Sequence, residues 1–178
     1  MTKRGEIIAG AMRAFEEHGF RGIGVDAVLA PSGASTRTLY KHFASREGLV
    51  LAVIEQRHRA FMDRLAAAPG GGVAGLFEAL SDWQGEFGAH GCMLLRARSE
   101  YAGSSPDIAG TVARQKAEFR AEIGRRVEAE IRRPDEALSL QVWVLFEGAG
   151  AAATVVGAQV VGAAQAAAQA LVAAARAR

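Results

Sequence analysis

The sequence predicts an all-α protein of about nine helices, with a three-helix N-terminal domain over residues 1–47 and a larger helical body over 48–178. Three observations predict it. Apolar residues recur at three- and four-residue spacing, which lines one face of a helix. The apolar–polar alternation of a half-buried strand is nearly absent. The periodic segments also begin and end at recognisable helix caps. Half of the 178 residues are hydrophobic, so the chain can bury a substantial core and does not have the composition of a disordered segment.

The first helix is expected over about 3–19, with Ile8, Ala11 and Phe15 on one face and Gly19 as its stop. A short second helix falls at about 25–32 and a third at about 35–43, starting at Ser35. The fourth begins after Ser45, a good N-cap, and runs to about 67 with Val50, Ile54, Phe61 and Leu65 in its stripe. Pro69-Gly70-Gly71-Gly72 is the clearest break. A fifth helix, about 73–88, carries Leu76, Leu80, Trp83 and Phe87, and a sixth, about 91–102, carries Met93, Leu94 and Tyr101. Ser105-Pro106 is a start signal for the seventh, which aligns Ile108, Val112, Phe119, Ile123, Val127 and Ile131. Pro134-Asp135-Glu136 starts the eighth, to about 156, and a ninth closes the chain after a break near Gly157.

Composition narrows the function classes. The net charge is +2, and all of it lies in residues 1–48, which hold seven Lys and Arg against five Asp and Glu. That is a weak footprint for a polyanion partner. The single cysteine, Cys92, allows no internal disulfide and fits a reducing, cytoplasmic setting. Gly148–Ala175 is free of charge and long enough to span a bilayer, yet it is mostly Ala, Gly and Gln with one Leu. It therefore reads as closely packed helices, not a membrane span. His18, His42, His58 and His90 are scattered without metal-ligand spacing, so no metal or cofactor is implied. An enzyme using Cys92 and His90 is the rival of another class, but no third group completes a catalytic arrangement.

The informative stretch is 19–47, GFRGIGVDAVLAPSGASTRTLYKHFASRE. Two short helices are separated by Ser32-Gly33-Ala34, and a turn of this length containing Gly is what a helix-turn-helix needs. Ser35 caps the third helix, whose first turn is Thr36, Arg37 and Thr38. In such a motif that turn faces base edges in the major groove. Leu39 and Phe43 form its inner face, while Tyr40, Lys41 and His42 are donors placed to reach phosphates. Arg46, in the first turn of the fourth helix, is expected at a phosphate as well.

The segment resembles the TetR family signature, in which A-F-x-x-x-G-F leads to a helix-turn-helix closing on T-L-Y-x-H-F-x-S-[KR]-E. Here it reads Ala14-Phe15, Gly19-Phe20, Gly33, Ser35, Thr38-Leu39-Tyr40-Lys41-His42-Phe43 and Ser45-Arg46-Glu47. The resemblance covers about residues 3–55. It implies a dimeric repressor that binds a palindromic DNA operator and is released by a small-molecule effector bound in the body; a constitutive repressor is the alternative. Three positions depart from the pattern. Gly24 stands where a capping Thr or Ser is usual, Pro31 lies late in the second helix, and Arg37 replaces a small residue.

Two expectations concern the body. The last 30 residues contain 15 Ala, with Val155, Val156, Val160, Val161, Leu171 and Val172 among them, a composition suited to packing two copies into a four-helix bundle. Trp83, Phe87, Glu100, Tyr101, Phe119, Gln141, Trp143, Phe146 and Glu147 are the candidate lining of an effector pocket. Glu147 stands in an apolar run and needs a partner, for which Arg96 and Arg98 are the candidates.

Overall fold

The computed structural model describes residues 2–68 and 71–177. Pro69 and Gly70 of the expected break lie outside the described residues. Nine α-helices and one 3₁₀ turn make up the regular structure of the described chain. They are α1 (Lys3–His18), α2 (Val25–Leu29), the 3₁₀ turn (Ala30–Ser32), α3 (Thr36–Phe43), α4 (Arg46–Ala67), α5 (Ala74–Phe87), α6 (Met93–Glu100), α7 (Pro106–Ile131), α8 (Glu136–Val156) and α9 (Gln159–Arg176). The all-α expectation holds.

The caps act as their chemistry dictates. Thr2 accepts from the Gly5 N–H at the start of α1, Ser35 from Thr38 at the start of α3, and Asp135 from Leu138 at the start of α8. Gly157, at φ 87°, separates α8 from α9 where the break was expected. Two bounds differ from expectation. The second helix is α-helical only to Leu29 and then tightens, because Pro31 has no N–H to continue the α ladder. The sixth is shorter at its start, since Gly91, at φ 78°, stands outside the helical region.

The chain folds as two compact units. One comprises residues up to 60 together with 93–115, and the other 61–92 together with 116 onward. In the first, Ile7, Ala11, Phe15, Phe20, Val28, Leu39, Leu49 and Val53 are buried, and so are Tyr101, just after α6, and Ile108 and Val112 of α7. Glu100 and Arg96 show why α6 belongs here. Glu100 accepts the Arg21 N–H at 2.7 Å, and Arg96 donates to the Phe15 and Glu16 carbonyls at the end of α1. Arg57 of α4 also pairs with the buried Glu16 at 3.0 Å.

The second unit is a bundle of the end of α4, α5, the end of α7, α8 and α9. Its core joins Leu65, Leu76, Phe77, Phe119, Ile123, Val142, Phe146, Val161 and Val172. By length and composition α8 could cross a membrane. Its Leu138, Val142, Phe146 and Ala149 are buried in this core, while Leu140, Val144, Val155 and Val156 are exposed.

Candidate nucleic-acid interface

The site begins with the turn. Gly33 sits in the left-handed region, φ 60° and ψ 21°, and its N–H closes on the Ala30 carbonyl. A residue with a Cβ is disfavoured in that conformation, so glycine at this point lets the chain reverse between α2 and α3. Ser35 then caps α3 through its Oγ, which also lies 3.0 Å from the Thr38 hydroxyl. Leu39 and Phe43 are buried beneath the helix. Thr36, Arg37, Tyr40 and Lys41 are exposed together at i, i+1, i+4 and i+5, with Tyr40 58% exposed. The result is a short amphipathic helix with its core side fixed and a row of hydrogen-bond donors outward. His42 is half-buried, with its ring 6.2 Å from that of Phe43.

Arg46 takes a different place from the phosphate contact expected of it. Its guanidinium donates to the Phe20 and Ile23 carbonyls, each at 2.6 Å, and lies over the Phe15 ring. It fastens the loop after α1 by donating to two of its carbonyls.

Two features of the α3–α4 corner were not read from the sequence. Ala44 adopts φ 61°, unusual for a residue with a Cβ. A Cβ on Gly48 would stand 2.0 Å from the Phe43 carbonyl oxygen. Only glycine admits this close crossing, which aims α3 relative to α4. The spacing of Gly48 after Ser45 was the available signal.

The expected pocket residues divide between the two units. Glu100 and Tyr101 lie in the first unit, where Arg21 bonds the one and stacks over the ring of the other. Trp83, Phe119 and Phe146 pack with Phe61 and Phe77, at ring-centroid separations of 4.7–5.9 Å. Phe87 stacks on Trp83 at 4.5 Å. Gln141 is exposed on α8. Glu147 pairs with Lys116, not with Arg96 or Arg98, and it also accepts from the Trp143 indole N–H at 3.1 Å. Lys116 lies one turn before Arg120 on α7, and the Arg120 guanidinium lies over the Trp143 ring, 5.3 Å from its centre. Burial alone would lower the Lys116 pKa. Electrostatic interaction and hydrogen bonds with Cys92 and Glu147 more than offset that and hold it above the usual lysine value.

A capped recognition helix, a glycine turn and a fixed inner face define a helix-turn-helix DNA-binding protein. Residues 7–53 match the family described as bacterial regulatory proteins, tetR family. Residues 7–53 thus match the tetR-family domain, and the chain as a whole has the fold of solved TetR regulators. A 56-residue stretch is 38% identical to the HTH-type transcriptional activator FasR of Mycolicibacterium smegmatis, covering 32% of this chain and 25% of FasR. The chain thus matches about a quarter of that relative's length. Over the whole chain the fold is similar to a TetR-family transcriptional regulator from Streptomyces coelicolor, with TM-score 0.85, 21% identity, and 98% and 96% of the two chains covered. It is also similar to a TetR regulator from Haloarcula marismortui, with TM-score 0.82, 17% identity, and 97% of each chain covered.

Proposed function

We propose that two copies of the protein pair through α8 and α9 and bind a palindromic operator as a cytoplasmic repressor, each placing α3 in a major groove. The observation that carries the pairing is an uncovered apolar strip. Leu140, Val144 and Val155 follow one face of α8, with Val144 57% and Val155 85% exposed. Beside them a shallow depression of about 750 Å³ is lined by Leu140, Val144 and Leu145 of α8 and by Ala167, Ala170 and Leu171 of α9. Soluble proteins seldom leave such a face in water, and the small residues of α9 let a second helix pair approach closely. Twofold symmetry in the protein then requires a palindrome in the DNA.

Within each half-site, Thr36 and Arg37 face bases, and Tyr40, Lys41 and His42 face phosphates. Ser35 and Thr38 hold the helix start. Sedimentation at micromolar concentration and footprinting test this reading. Val144→Asp is expected to yield monomers that lose the operator while their helix content is kept; wild-type monomers would sink it. Arg37→Ala should cost about 1–3 kcal/mol on the selected operator and little on random DNA. A reporter whose transcription rises when the protein binds would make it an activator.

Release by a small molecule is the second part of the proposal, with the site among Trp83, Phe119, Trp143 and Phe146. An effector there would have to part rings already in contact and bind the non-DNA state more tightly than the DNA-bound one. The constitutive alternative is favoured by one specific observation: Phe61, Phe119 and Phe146 are in ring contact, and Glu147 is already neutralised by Lys116. A compound screen read by operator release separates the two.

A further inference from the structure

We infer that Arg4, outside the helix-turn-helix, is a further phosphate-gripping group of the DNA-binding head, and that Lys3 is the residue that positions it. The inference rests on the DNA-binding reading above. The first turn of α1 begins Lys3-Arg4, where the helix dipole favours acids. A sequence that breaks a local rule at two adjacent positions marks a place to look for function.

The two cations are used differently. The Lys3 ammonium donates to the Ser32 carbonyl at 2.6 Å and to Glu6 at 3.1 Å, so its charge is offset and it ties α1 to the turn before α3. Arg4 is exposed and has no carboxylate or hydrogen-bond partner among the described residues. Its guanidinium lies 5.2 Å from the centre of the Phe43 ring. Phe43 is the last residue of α3, whose eight residues span about 12 Å. Contact with the ring restrains the guanidinium, and its N–H donors, unused among the described residues, can meet a phosphate in bidentate fashion. With Arg37 and Lys41 exposed on α3, Arg4 carries the basic strip past the end of the recognition helix onto α1.

The test is the salt dependence of binding to a short random-sequence duplex, since a phosphate contact needs no particular bases. Arg4→Gln is expected to reduce the slope of log affinity on log salt by about 0.9 per bound protomer. Between roughly 50 and 200 mM salt that is about a 3.5-fold smaller loss of affinity per protomer. Arg4→Lys should keep the wild-type slope. Lys3→Met should weaken binding in the wild-type background and add little to Arg4→Gln, because Lys3 acts through Arg4. A wild-type slope in Arg4→Gln overturns the inference and leaves Arg4 as packing on Phe43. If Arg4→Gln also lowers the melting temperature, Arg4→Lys decides: a retained slope supports the phosphate contact, and a slope lost equally overturns it. Absence of salt-dependent binding by the wild type overturns both this inference and the DNA-binding reading, a result distinct from the first.

Discussion

Removing Lys116 should be among the most damaging single changes in the second unit. Lys116 and Glu147 are each 14% exposed, and among the described residues Glu147 keeps only the Trp143 indole N–H as a hydrogen-bond donor once Lys116 is gone. Breaking a buried pair by deleting one partner strands a charge and costs about 3–5 kcal/mol. The residual exposure of both groups places Lys116→Met near the lower figure, about 3 kcal/mol. For a chain of this size that is a fall of about 6–12 °C in melting temperature. The double variant Lys116→Met/Glu147→Gln should recover about 1–2 kcal/mol of it, because no carboxylate is then stranded. The pH dependence has a definite sign. The folded-state pKa of Lys116 lies above 10.5, so the pair's contribution is complete below pH 10.5 and is lost as pH rises through the folded value. Urea denaturation at fixed protein concentration, from neutral pH to about pH 11, measures both. A loss below ~1 kcal/mol, with strictly additive single and double variants, would refute the reasoning and make the pair a solvated one.

Three further predictions concern the head. Gly48→Ala, whose Cβ would stand 2.0 Å from the Phe43 carbonyl oxygen, is expected to cost roughly 3–4 kcal/mol and abolish duplex binding; near-wild-type melting would mean the α3–α4 corner relaxes freely. Arg46→Ala should lower stability by removing a donor to the Phe20 and Ile23 carbonyls while leaving the salt slope of DNA binding unaltered; a reduced slope would restore Arg46 to the phosphate contacts. Ser35→Ala removes the cap of α3 and should cost about 1 kcal/mol in urea unfolding, with no effect expected if Thr38 finds another acceptor.

Local chemistry was enough to determine the helices and the helix-turn-helix. Caps at Ser35 and Asp135, the left-handed turn at Gly33 and the break at Gly157 depend on a residue and its neighbours a few positions away. The outward row on α3 follows from helical spacing alone. The TetR resemblance was legible for the same reason: its motif is contiguous. What only the tertiary structure decided were the partners of long, charged side chains. Arg46 reaches back 26 residues to Phe20, Arg96 reaches 81 to Phe15, and Glu147 finds Lys116 at a separation of 31. A guanidinium or ammonium can turn to solvent, to a phosphate or to a carbonyl, and its choice depends on which unpaired groups folding brings within reach. The same holds for the aromatic residues of the body. Helical spacing grouped them by face, but only packing determined which rings meet, and only packing assigned Glu100 and Tyr101 to the other unit.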